Sequence, residues 1–210
     1  MVWRTIAWRA QPREAGNVLR QSRTLISQAP SVKIEVMATA TNLLTLEEFR
    51  KRYAEEKPYY EYWFGEAVQK SVPTWLHSLL QQILGEMLTR AGYRSGPELE
   101  LRIASDWQPK ADVAAALEIE HPYPTKPVDV VAEILSPDDR MSRVFEKCRQ
   151  YARIGITKIF VLDPESKSSW EWSRETDNLE RISIMNLPNG QNIAIADIWG
   201  ELDRRAGSVN

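Results

Sequence analysis

Glu133 and Lys147 stand where apolar residues would be expected, and with Asp112 they form a set able to do chemistry. Glu133 lies inside Asp129–Leu135, a Val/Ile-rich run that reads as a central strand covered on both faces. A carboxylate there is costly to desolvate unless it is paired or binds a metal. Asp112 begins a second short strand, Val113–Leu117, entered through Pro109-Lys110-Ala111-Asp112. If the two strands are neighbours, both carboxylates converge at one site. With phosphate oxygens and water they then suit a magnesium ion, with manganese as the other candidate. Such an ion neutralises a phosphodiester and lowers the pKa of an attacking water. A lysine is useful beside it, to orient that water and to stabilise charge in the transition state. Lys147 is the candidate, on a helix face shared with Arg140, Val144 and Tyr151. A snorkelling stem and a functional amine are both open readings for it.

The elements around these residues follow from periodicity and breakers. Thr45-Leu46-Glu47-Glu48 is a capping box opening a short helix to about Ala54. Tyr59–Phe64 and Ala67–Val72 flank Gly65-Glu66 as a hairpin. Pro73 and Thr74 open an amphipathic helix that Gly92 stops. Leu99, Leu101 and Ile103 alternate with Glu98, Glu100 and Arg102, the pattern of a half-exposed strand. After the strand bearing Glu133, Ser136 as N-cap and Pro137 at the first helical position predict a helix over 137–154, closed by Gly155. Lys158–Leu162 is again a buried strand, so a right-handed crossover joining parallel strands is the natural arrangement. Trp170–Trp172, Arg181–Ile184 and Asn192–Ile195 read as weaker antiparallel additions at a sheet edge, followed by a helical turn at Asp197–Leu202. The class is α/β: helix, three strands, helix, strand, around a mixed sheet with extra edge strands.

Charge is unevenly split. Residues 1–36 carry six Lys/Arg and two Asp/Glu, whereas residues 37–210 carry 21 and 27. The first segment has the composition of a transit peptide without a clear amphipathic stripe, and it reads as a disordered basic extension before a single domain over 37–203. Residues 204–210 read as a flexible tail. The acidic domain is a poor non-specific nucleic-acid binder, so any such partner must be held by a local site with a metal. One cysteine, Cys148, excludes an internal disulfide and reads as a small core residue. His77 and His121 are too few for a histidine-rich zinc site. No apolar run approaches the ~18 residues needed to cross a membrane, so a cytoplasmic protein with no membrane partner is expected.

Asp112, then Glu133-Ile134-Leu135-Ser136-Pro137, then Lys147, Tyr151 and Gly155, closing on Phe160-Val161-Leu162-Asp163-Pro164, resembles the Uma-type restriction endonucleases of the PD-(D/E)XK nuclease superfamily. Tyr60-Glu61-Tyr62, Gly65-Glu66 and His77 match that family's upstream segment, so the resemblance runs from about Leu44 to Trp199. It implies a restriction-endonuclease-like core and magnesium-dependent cleavage of nucleic acid, DNA first, with Asp112 and Glu133 as metal ligands. Two positions depart from the pattern: Ala111 replaces the proline before the aspartate, and Leu135 stands where the motif has lysine. The resemblance implies that Lys147 takes over that lysine's part. Glu61 is a further metal ligand or a hairpin anchor, and His77 a structural hydrogen bonder or a proton-transfer group. Cutting both strands favours a homodimer. A catalytically inactive nuclease-fold binding or scaffold module is the alternative, motivated by Leu135 and the acidic charge.

Overall fold

A computed structural model of the protein describes residues 43–207, so the basic extension expected over residues 1–36 lies outside the described residues. Helix α1 (Leu46–Tyr53) starts at the capping box seen in the sequence. Thr45 Oγ1 accepts from the Glu48 N–H, and Glu48 Oε2 accepts from the Thr45 N–H. Strands β1 (Tyr60–Trp63) and β2 (Glu66–Gln69) form the expected antiparallel hairpin. Helix α2 (Trp75–Arg90) is capped by Thr74, whose hydroxyl accepts from the His77 N–H.

The next strands build the main sheet. β3 (Arg94–Glu100) begins and ends earlier than the Leu99–Ile103 alternation suggested, because its ladder with the following long strand runs from Arg94 opposite Ala116 to Glu100 opposite Lys110. β4 (Trp107–Gln108) pairs with β1 in a small three-stranded sheet. β5 (Lys110–Ala116) and β6 (Val130–Ile134) are buried along their whole length. After helix α3 (Met141–Arg153) comes β7 (Lys158–Asp163), parallel to β6 with Glu133 opposite Val161. β8 (Ser168–Ser173) and β9 (Asn178–Arg181) extend the sheet antiparallel, giving the order β3-β5-β6-β7-β8-β9. β10 (Ile184–Asn186) and β11 (Asn192–Ala194) pair only with each other, as a separate hairpin instead of a sheet edge. Helix α4 (Ile195–Ala206) is longer than the expected turn at Asp197–Leu202 and is helical through residues 204–206. Arg205 holds its last turn by reaching both Glu201 and Glu86.

A core lies on each face of the sheet. Leu80, Ile83, Leu84 and Leu88 of α2 and Ile198 and Leu202 of α4 pack on Val113, Ala115, Val130, Ala132 and Ile134. On the other face Val144, Cys148 and Tyr151 of α3 pack with Ala114, Val131, Ile159 and Val161. Among the described residues, no helix is long and apolar enough to cross a membrane.

One expectation moves. The helix expected from Pro137 starts only at Met141. Ser136 is not its cap, because the Asp139 carboxylate accepts from the Ser136 N–H at 2.7 Å and the Asp139 N–H donates to the Ser136 carbonyl at 2.9 Å. That closed turn uses the groups that would have opened the helix. The helix ends where expected, at Gly155, whose φ of +97° favours glycine and whose Cβ, if present, would sit 3.0 Å from Pro127. Gly155→Ala is expected to lower stability by about 1–2 kcal/mol, read from urea unfolding.

Candidate active site

The strand register delivers the two carboxylates. Val113 pairs with Ala132, so Asp112 stands one step further along, beside Glu133 on the neighbouring antiparallel strand. Asp112 Oδ2 accepts from the Ile134 N–H at 2.8 Å, which ties its carboxylate to the end of β6. Glu133 falls on the α3 face of the sheet. Lys147 Nζ reaches Glu133 Oε2 at 2.8 Å, and Tyr151, one turn further along α3, donates to Glu133 Oε1 at 2.5 Å. The same ammonium lies 2.9 Å from Glu61 Oε1, an oxygen that also accepts from the Lys110 N–H. Trp107, fully buried, packs edge-on to Tyr151 with centroids 5.0 Å apart and holds the phenol in place.

All five residues singled out by sequence line one cleft of about 360 Å³. Glu61, His77, Asp112, Glu133 and Lys147 are each between 3% and 9% exposed, deep enough for desolvation to count. Glu61 anchors the hairpin to β5 and also faces the cleft, so its two readings are compatible. His77 Nδ1 shares a hydrogen bond with Ser136 Oγ at 3.1 Å. His77 Nε2 is buried without a hydrogen-bond partner, 3.6 Å from Asp112 Oδ1.

Sequence reasoning missed Glu98. It looked like the solvent side of an alternating strand, yet the register of Pro97 with Val113 and Leu99 with Ala111 sets it opposite Asp112. Its φ of +51° departs from strand geometry, an outlier of the kind that occurs where a side chain is held for a purpose. Lys70, which carries no local sequence signal, lies 2.6 Å from Glu98 Oε2 and 2.8 Å from Asp112 Oδ1. Tyr151 had a signal, its shared helix face with Lys147, but nothing local named its partner.

The electrostatics are asymmetric. Burial alone would raise Asp112, but Lys70, His77 and Lys147 outweigh it and hold the carboxyl well below the usual range. Burial pushes Glu133 up to about 7 against the pull of Lys147, and the Asp112 and Glu61 carboxylates add to the rise. Lys147 itself would be lowered by burial, yet Glu133, Glu61 and Asp112 together hold it charged. The ammonium answers to three carboxylates, whereas Glu133 has one close ammonium. Burial pushes the Cys148 thiol up to about 12, which leaves it an inert core residue.

Six carboxylates and four lysine or arginine side chains line the cleft, an excess of two negative charges. That excess, an all-oxygen set of anionic donors and the orphaned His77 nitrogen suit one divalent cation.

The family profile described as "Uma2: Putative restriction endonuclease" matches residues 46–203. Among solved structures, a "putative nuclease belonging to DUF820 from Anabaena variabilis ATCC 29413" superposes with a TM-score of 0.62 at 22% identity, over 76% of this chain and 99% of that one. At that identity the likeness bears on the fold, which is the one expected. A cryo-EM structure of a DrdV–DNA complex aligns with a TM-score of 0.32 at 13% identity, over 58% of this chain and 10% of that one. No curated protein matches the chain.

Because folding raises the pKa of Glu133 above its ordinary 4.5, this group's contribution to stability is fully present below pH 4.5 and is lost as pH rises through about 7. Glu133→Gln removes that loss. In chelator, thermal melts of the variant and wild type are expected to coincide near pH 4, below the ordinary value. At pH 8 the variant is expected to be more stable by about 1–3 kcal/mol.

Proposed function

The chain belongs to the Uma2 family, and on that premise we propose that it is a metal-dependent endonuclease hydrolysing phosphodiester bonds of DNA. The observation that carries this reading is the pairing of Asp112 and Glu133 on adjacent strands, with the Lys147 ammonium 2.8 Å from Glu133. Asp112 and Glu133 are the residues that would hold magnesium, or manganese in its place. Bound there, the ion supplies neutralisation of phosphate charge and a lower pKa for the attacking water.

The chain's own residues do the rest. Each oxygen of the two carboxylates already accepts one hydrogen bond, from Lys70, Ile134 N–H, Tyr151 or Lys147. This fixes their orientation before any ion binds. Lys147 has three donors and uses two, on Glu133 and Glu61. The third can orient a water or meet charge building on the phosphate oxygens. Leu135 cannot do this, and it packs against the α3-side core. Lys147 therefore supplies from the helix what the motif elsewhere supplies from the strand. Cutting both strands is served by a two-fold pair of such sites.

The ion pairs on both carboxylates also favour a second reading, a silent module in which Lys70 and Lys147 are permanent counter-ions. The two readings separate on plasmid and single-stranded DNA incubated with magnesium, manganese or chelator. The nuclease reading expects metal-dependent cutting, abolished in Glu133→Ala and lowered at least about a hundredfold in Lys147→Ala. Equal cutting by Glu133→Ala, or no cutting by wild type, would sink it.

A further inference from the structure

Lys70 is coordinated as a metal ion would be. Its ammonium lies 2.6 Å from Glu98 Oε2, 2.8 Å from Asp112 Oδ1 and 2.9 Å from the Lys110 carbonyl oxygen, so all three of its donors are used. The backbone beneath it is pinned by the Lys70 N–H to Tyr59 carbonyl bond at 2.8 Å, whereas the side chain above has rotatable bonds throughout.

A second observation bears on the same place. One ligand atom each from His77, Glu98 and Asp112 lies within 4.8 Å of the others, a spacing that ligands around a single ion can occupy. His77 Nε2 is a buried nitrogen with no hydrogen-bond partner, and it faces Asp112 Oδ1. Its other ring nitrogen is already held by Ser136 Oγ. A ligating histidine commonly carries such a partner, which fixes the tautomer with Nε2 free. Ser136 is in turn fixed by Asp139, and Glu98 by Gln81 at 3.2 Å. The unusual φ of Glu98 belongs to the same arrangement.

We propose that His77, Glu98 and Asp112 form a divalent-cation seat whose oxygens the Lys70 ammonium competes for, with His77 biasing the seat toward manganese over magnesium. The inference rests on the reading of this cleft as a metal site and adds a ligand set, a competitor and a metal preference to it. The physical basis is direct. One cluster of oxygens cannot satisfy an ammonium and a divalent ion at the same separation, so binding of the ion requires Lys70 to swing into the cleft. There it becomes a positive charge beside the position of a substrate phosphate. Imidazole nitrogen is a poor magnesium ligand and an accepted one for transition metals.

The test is calorimetric titration of manganese and magnesium into chelator-treated full-length protein, without nucleic acid. Wild type is expected to bind manganese more tightly. Lys70→Met is expected to tighten both ions by about tenfold, as removal of a competing charge at contact distance should. Lys70→Arg, which keeps the charge, should not tighten either. His77→Ala is expected to weaken manganese by at least about tenfold and to remove the preference over magnesium. The proposal is overturned if Lys70→Met leaves manganese affinity unchanged, or if His77→Ala leaves the manganese-to-magnesium ratio unchanged. Should Lys70→Met fail to fold, Glu98→Gln decides alongside His77→Ala: weaker binding supports the seat, and unchanged binding overturns it. The nuclease reading fails separately. Absent cutting with these affinities as expected overturns that reading alone. Cutting lost in Glu133→Ala, with wild-type affinities in the His77, Glu98 and Lys70 variants, overturns the seat alone.

Discussion

Four carboxylates, of Glu61, Glu98, Asp112 and Glu133, face one cleft whose close counter-charges are the ammonium groups of Lys70 and Lys147. Buried charge of one sign is tolerated only where donors compensate it, and here the compensation is partial. The arrangement shapes the rest of the molecule. It explains why Lys147 is buried on an otherwise apolar helix face, why Tyr151 spends its hydroxyl on Glu133, and why the Ile134 N–H turns to Asp112. It also pushes the Glu133 carboxyl up to about 7, since burial and the Asp112 and Glu61 charges oppose a single close lysine.

Such a network adds little net stability, because desolvation consumes most of its Coulombic gain. The two apolar cores on the faces of the sheet carry that task. Leu80, Ile83, Leu84 and Leu88 fix α2 so that His77, in its first turn, reaches the end of β6. Val144, Cys148 and Tyr151 fix α3 so that Lys147 points to the same end from the other side. The cleft therefore lies beyond the sheet's end, between the two helices; a shift of α2 would break the His77–Ser136 hydrogen bond, and a shift of α3 the Lys147 ion pairs. The turn at Ser136–Asp139 belongs to this design, since Ser71 and His77 both bond to it and link the hairpin, α2 and the start of α3.

Much of this was legible from sequence, and particular residues show why. Thr45 with Glu48, Thr74 and Gly155 mark helix ends by local hydrogen bonding or a positive φ, so α1, the start of α2 and the end of α3 could be read directly. Asp112 and Glu133 stood out because a charge in a run of Ala, Val and Ile must have a partner. The start of α3 was misread because Ser136 and Asp139 bond to each other and to distant elements, which turned a cap signal into a closed turn. Glu98 was not legible at all, because an alternating polar residue on a strand looks solvated unless something across the sheet claims it.

The division follows the range of the forces involved. Hydrophobic period, capping residues and the cost of burying a carboxylate are local, so the chain's own pattern specified the element order, the parallel pair β6–β7 and the two strand carboxylates. Which cation meets which anion is not local. Lys70 and Asp112 are 42 residues apart, and His77 and Ser136 are 59 apart. Only the packed fold, by setting β3 against β5 and both helices against one end of the sheet, decided that Glu98, Lys70 and His77 share a place with Asp112.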